Sequence, residues 1–495
     1  MDKLRIRLFY CLLLASVIGA LAVEKGQYGN VKMDGYKGIW FDLHQNTEYG
    51  PKYSGGLGTY TMKHTPMAIY SPEKDRTYFV YGGTTGEDER YLLCMIGCYD
   101  HKTGMVCKPT VVYDKQGVDD PHDDPSILID KQGYVFVYVA GRSNKRVGYI
   151  YRSKRPYDIS EFESVGFEEL MAYPQPYLME DGTHFLFFTR YDGVRRLYYR
   201  TSPNGKDWST PYQSIANIIA PGDKKSGHYQ ITGKWGNKLV TTFNRHFNGD
   251  CDTRTNIYYM QTTDGGKTWT QADGKTVVHL PVTKVNDPCR ILDAESKGQN
   301  VYIKHVNFDG QGNPLVLYLT SYGPFPGPAY GPREWFVAHW NGRNWMHHFV
   351  TTSTSNYDSG SIYVEGKLWR IIAPTAPGPE KWGIGGEVES WISTNQGKTW
   401  KKEHEYTKDS PRNHGYCRMP LHAKDPFYTF WADGNFYNPS ISYLYFGDSK
   451  GNTYRLPYEM KSEWEKPQQV AKEVERYSMK NWKQLSSKKV KTPHK

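Results

Sequence analysis

Histidine is the side chain whose charge changes near neutral pH, and two histidines in this chain stand where chemistry could be built. His44 lies in Trp40-Phe41-Asp42-Leu43-His44-Gln45, shortly before the glycine-rich run Tyr53-Ser54-Gly55-Gly56-Leu57-Gly58-Thr59-Tyr60. Glycine lets backbone approach a ligand closely, so Gln45, Tyr53 and His64 are candidates to line one mouth together with His44. His122 lies in Asp119-Asp120-Pro121-His122-Asp123-Asp124-Pro125-Ser126. Carboxylates around a histidine raise its basicity. The same loop reads equally as a metal-binding segment or as a turn capped by aspartates.

Three further segments carry polar and aromatic side chains suited to a sugar. Tyr173-Pro174-Gln175-Pro176-Tyr177 is followed by Thr189-Arg190-Tyr191. An arginine fork can neutralise a carboxylate while a tyrosine moves a proton. Gly227-His228-Tyr229-Gln230 with Asn244-Arg245-His246 and Arg254 forms one set, and Arg412-Asn413-His414-Gly415-Tyr416-Cys417-Arg418 another. Rings there would stack on sugar faces, while His228, Arg254, His414 and Arg418 bond hydroxyls and carboxylates. The paired carboxylates of an ordinary glycosidase form no motif. Neither a serine elbow, a phosphate loop nor a dinucleotide fingerprint is present.

The elements that must position these residues are strands. Aromatics make up 15% of the chain, with 41 Tyr and 48 Gly. Short runs such as Tyr134-Val135-Phe136-Val137-Tyr138-Val139, bounded by turns, mean an all-β fold. Thr262-Thr263-Asp264-Gly265-Gly266-Lys267-Thr268-Trp269 recurs as Ser393-Thr394-Asn395-Gln396-Gly397-Lys398-Thr399-Trp400, shortened as Ser202 to Trp208 and degenerate as Trp340 to Trp345. These are Asp-box (BNR) hairpin turns, with a structural role. Their tryptophans lie 55 to 76 residues apart, one four-stranded blade per unit, which predicts a seven-bladed β-propeller over residues 23–460.

Residues 1–22 read as a secretory signal: Lys3, Arg5 and Arg7, an apolar stretch too short to span a bilayer, then Ala20-Leu21-Ala22. The product is expected to be exported, periplasmic or secreted, without a membrane span. Residues 461–495 read as a basic tail, partly helical or disordered. That tail holds ten Lys/Arg against four Glu, so the net charge of +10 leaves the body with little excess and no nucleic-acid footprint. Six cysteines remain after cleavage. Cys94 and Cys98, at strand spacing, point to one face, and His414 with Cys417 reads as structural rather than zinc-binding.

The order of motifs resembles that of glycoside hydrolase family 145 and the related polysaccharide lyase families 24 and 25. It runs through Gly38-Ile39-Trp40-Phe41, the Tyr53–Tyr60 run, His122-Asp123-Asp124-Pro125-Ser126, Tyr173-Pro174-Gln175-Pro176, Gly227-His228-Tyr229-Gln230, Asn356-Tyr357-Asp358-Ser359-Gly360 and Asn413-His414-Gly415-Tyr416. The resemblance implies a substrate with L-rhamnose α-1,4-linked to a uronic acid. In the hydrolases one histidine near the N-terminus dominates, and His44 matches it by position. This favours an exo-acting α-L-rhamnosidase releasing rhamnose from glucuronate in glycans such as arabinogalactan. The lyases resembled use a histidine base, a tyrosine acid and an arginine that neutralises the uronate. His122, Tyr173 (with Tyr177 nearby) and Arg190 would fill those roles in a β-eliminating alternative, and a non-catalytic glycan-binding propeller is the third reading. The expectation is a monomer that requires no cofactor. The families resembled can carry a structural metal, for which no ligand set stands out.

Overall fold

The computed structural model describes residues 28–86 and 91–470; the expected signal, and the tail beyond Val470, lie outside the described residues. Among the described residues the chain is strand and turn, with only short 3-10 segments. Beside two small two-stranded sheets formed before the first blade, seven antiparallel sheets of four to six strands stand around one axis among the described residues. Their innermost strands are Ala68–Ser71, Pro125–Ile129, Ala172–Leu178, Gln230–Trp235, Asn300–Phe308, Ser361–Glu365 and Asn413–Arg418. The chain is a seven-bladed β-propeller, with each blade built from consecutive strands running outward from the axis.

Blade burial explains the strand compositions. A blade is covered on both faces by its neighbours, so its strands bury consecutive residues rather than every second one. Val135–Val139 is buried at every position, and so is Pro314–Ser321. Aromatic and β-branched residues fit such a surface.

The Asp-box turns join the third and fourth strands of four blades. Asp264 accepts from the Thr268 amide at 3.0 Å, and Asn395 from the Thr399 amide at 3.0 Å. Gly266 and Gly397 lie at φ of 88° and 79°. Trp269 packs on Tyr199 of the preceding blade, with ring centroids 5.5 Å apart. Trp208 packs on Tyr138 and Trp345 on Tyr259 in the same way, so these three turns each clasp two blades.

Ring closure uses both ends of the described chain. Trp464–Glu465 pairs with Val106 and Cys107 of the first blade, and Gln468–Val470 pairs with Thr453–Arg455 of the last. Residues 461–470, read from sequence as the start of the tail, thus include two short strands. Cys98 stands across the hairpin from Cys107, Sγ to Sγ 3.0 Å, a proximity the Cys94–Cys98 spacing did not announce.

Candidate active site

The first, innermost strands of the blades start on one face, and the second strands end there. A cleft opens on that face, near the axis. Its wall combines Tyr53, Tyr60, Tyr173, Tyr229, Tyr302, Tyr357 and Tyr416 with Lys63, Arg254 and Lys304, and includes no Asp or Glu. The Asp-box turns follow third strands, which run away from this face, so they sit on the opposite one.

The segment before the first blade is folded into the channel. His64 donates its amide to the Thr61 carbonyl at 3.0 Å, closing a turn. The Arg418 guanidinium, buried, donates to the carbonyls of Thr61 and His64. Arg418 is therefore the strut that holds Tyr60 and Lys63 toward the cleft.

His122 stands directly behind the wall. It sits in the short turn Pro121–Asp123, whose cap Asp120 accepts from the His122 amide at 3.1 Å and from Nδ1 at 2.6 Å. Arg146 and Arg142 contact the same carboxylate at 2.9 and 3.2 Å. Burial opposes charge on Asp120, but His122 and Arg142 outweigh it and hold this carboxyl well below its ordinary range. A carboxylate only accepts, so Nδ1 carries the proton. Nε2 then accepts from the Tyr60 hydroxyl at 2.7 Å. Burial, followed by the charge of Arg142, pushes His122 down to about 4. At neutral pH it is a neutral imidazole with its free lone pair aimed at Tyr60.

The other titratable groups have clear states. Burial raises the phenols of Tyr60 and Tyr173 well above 10, so both keep their protons. Tyr173 stands at φ 53°, its ring centroid 6.2 Å from His122 and its hydroxyl 3.5 Å from that of Tyr191. Lys304 donates to the Asn356 carbonyl at 2.7 Å, and burial lowers it to about 7. Burial, then the charges of Arg254 and Lys304, lowers Lys63 well below its ordinary value. Its ammonium lies 4.1 Å from the Tyr229 ring centroid. The cleft concentrates positive charge that an entering anion would relieve.

The structure brings some expected residues here and sends others elsewhere. Tyr53, Tyr173 and Arg254 line the cleft, and His64 and His122 lie just behind it. His44 does not: Asp42 accepts its amide at 2.8 Å, φ is 57°, and the ring points outward, its side chain 75% exposed. Gln45 is exposed as well. Arg190 is spent on Glu169 at 2.5 Å and Asp192 at 2.8 Å, outside the wall. His228 is buried between the Ile218 amide and the Asn244 carbonyl, and His414 between Trp431 and Ser410. Arg418 supports a turn instead of meeting a ligand. Tyr177 donates to or accepts from Thr232 at 3.0 Å, away from the cleft. Lys63, Tyr302 and Lys304 were missed. For Tyr302 and Lys304 the only sequence signal is a lysine interrupting an apolar strand, Val301-Tyr302-Ile303-Lys304; Lys63 carries none. Among the described residues, Asp250, Cys251 and Asp252 are the group whose donor atoms could meet at a metal ion. Asp252 already pairs with Lys52.

A family model described as "BNR repeat-containing family member" matches residues 95–353. An ulvan lyase of Nonlabens ulvanivorans is 24% identical over 331 residues, 57% of this chain and 64% of that protein. An ulvan lyase, PL25, of Pseudoalteromonas sp. (strain PLSV) is 23% identical over 310 residues, 54% of this chain and 60% of that one. The chain spans less than two thirds of the length of these relatives. A solved PL25 ulvan lyase bound to -[GlcA(1-4)Rha3S]- superimposes with TM-score 0.67 at 18% identity, over 85% of this chain and 96% of that one. Polysaccharide lyase Uly1 gives TM-score 0.57 at 13% identity, over 86% and 97%. At these identities the superpositions show a common fold. The relatives are lyases, which overturns the rhamnosidase expected from the sequence.

Proposed function

This chain belongs to the BNR repeat-containing family, and from that premise we propose that it is an exported, monomeric polysaccharide lyase. It cleaves rhamnose–uronate linkages of an acidic glycan by β-elimination. The observation that carries this reading is the cleft itself: cations and protonated phenols on the wall, no carboxylate among them, and a neutral, aspartate-oriented histidine behind. A glycosidase needs two carboxylates facing the bond. An eliminase needs charge neutralisation at a uronate, a base and a proton donor, and these groups meet that need. The relatives named ulvan lyase support the same class.

The uronate carboxylate lies against Arg254 and Lys63, which draw electron density from the sugar's C5. The Tyr60 oxygen takes the C5 proton while its own proton passes to His122 Nε2, and Asp120 stabilises the imidazolium formed. The C5–H electron pair becomes the C4–C5 double bond. The C4–O4 pair leaves on O4, which takes a proton from Tyr173. Tyr173 is left as a phenolate and His122 as an imidazolium; after the product departs the proton on His122 returns, through solvent, to the Tyr173 oxygen, and both groups regain their starting states. A positioned acid–base pair contributes about 10²–10⁴-fold; the remainder comes from preorganised charge in a site with little water.

Incubation with a rhamnose–uronate polysaccharide should generate the ultraviolet absorbance of an unsaturated uronate, with no free rhamnose. His122→Ala should abolish it while the melting temperature holds. Absence of that chromophore on every rhamnose–uronate polymer tried would reject the reading.

A further inference from the structure

Large aromatic rings usually lie inside a propeller, yet several stand open on the cleft face. Tyr322 is 56% exposed, Tyr437 48% and Phe325 40%. They belong to the loops joining the second and third strands of the fifth and seventh blades. The matching loop of the sixth blade carries Trp382, half-buried, whose ring centroid lies 5.9 Å from that of Tyr49. Gly327 packs so tightly on the Tyr49 ring that a Cβ there would lie 2.2 Å from it. Gly50 in turn sits against the rings of Phe436 and Tyr437. The Tyr49 segment thus joins the three loops into one rim.

That rim is continuous with the cleft. Lys52 lies 5.8 Å from the ring centroid of Tyr53, which lines the cleft, and 5.2 Å from that of Phe325 on the rim. Cations are interleaved with the rings: Lys381 is exposed and sits 4.8 Å from the Trp382 ring centroid. An aromatic face takes the apolar face of a sugar, as rings do wherever one side is wet. An adjacent ammonium takes an anionic neighbour. A polymer alternating a deoxy sugar with a charged one presents both, in turn.

We propose that this rim, over blades five to seven, is a binding platform for the glycan chain where it continues beyond the cleft. The inference rests on the reading of the cleft as a rhamnose–uronate site. It concerns residues that touch none of the groups assigned to the chemistry.

The test uses the full chain carrying Phe325→Ala and Trp382→Ala, singly and together. Kinetics are followed on the long polymer and on the shortest oligosaccharide that is cleaved, and polymer retention is followed by native electrophoresis in gels containing the polysaccharide. Each substitution should raise KM for the polymer roughly threefold to tenfold. It should leave kcat, and both constants on the short oligosaccharide, unchanged. Retention should weaken in the same order. Equal losses on short and long substrates, or unchanged polymer KM and retention in a double variant that melts normally, would overturn the platform. If no unsaturated product forms with any substrate, the lyase reading fails by itself and gel retention alone decides the rim. A dimer that dissociates on the same substitutions, with retention unaltered, would put a second copy on the rim and overturn the proposal.

Discussion

His122 shows how one side chain acquires a role from its surroundings. Its pKa is set by burial, by Arg142 and, in the opposing direction, by Asp120. The base form exists above about 4. The acidic limb of kcat/KM should therefore fall near that value, well below the ordinary histidine range. Asp120→Asn removes the charge that holds the proton on Nδ1. The tautomer is no longer fixed, so the rate should fall by roughly 10²-fold, and the acidic limb should move lower still. A limb at the ordinary histidine pKa, or an unaltered rate, would deny the Asp120–His122 pair its role. Lys304 supports a second prediction. Burial brings it to about 7, and a bound uronate would restore its charge. Binding near neutral pH should therefore take up protons. Calorimetry of His122→Ala protein with intact polymer, in buffers of different ionisation enthalpy, would read the uptake as a buffer-dependent heat; identical heats would refute it.

At the scale of the element, the turns were the most legible part of the chain. An Asx side chain, a glycine and a tryptophan specify an Asp-box hairpin locally, and the tryptophan spacing counted the blades. Asp264→Ala deletes acceptors for the Thr268 amide and hydroxyl, at 3.0 and 2.6 Å. That should cost roughly 1–2 kcal/mol and lower Tm by about 1–3 °C. Activity per folded molecule should be unchanged, because the turn lies on the face opposite the cleft. A drop in kcat with Tm held would mean that this face takes part. The inner strands were less legible. Asp120 to Ser126 and Tyr173 could be singled out because several chemistry-bearing residues are neighbours in sequence. Lys304 has no such company; it meets Arg254 and Lys63 only when seven strands converge on the axis. His44 failed for the complementary reason. Closeness to a glycine run does not fix direction, and the Asp42 turn aims the ring at solvent. The continuous burial of Val135–Val139 likewise follows from neighbouring blades, which no single strand encodes.

Six deeply buried histidines are held neutral at the scale of the whole molecule, and that gives it a characteristic response to acid. Burial is the largest cause in each case. It depresses His122, His184 and His228 to about 4 and His64 and His305 to about 3, and it lowers His246 as well. An unfolded histidine binds its proton near about 6.5. Between that value and the folded ones, the unfolded chain holds more protons than the native chain. Stability is therefore complete above the unfolded pKa and is lost as pH falls toward the folded ones. Two carboxylates work the other way. Burial raises Asp358 to about 6 and Asp124 well above its ordinary value, so the native state takes up protons there first. Set against six histidines, they leave an excess of roughly four protons in the unfolded chain, or about 5 kcal/mol lost per pH unit once the window is fully entered. Such a slope exceeds what surface ion pairs contribute, so it governs the acid limb of stability. The urea midpoint or Tm, followed from about pH 7 to about pH 5, should fall steeply, and His184→Gln should flatten the slope by about one sixth of the histidine contribution. His184 lies at Gly205 and Phe136, away from the cleft, so that variant should keep its activity. A melting temperature that stays level across this range would show that these rings are protonated in the native fold, and would remove the neutral-base argument for His122 along with them.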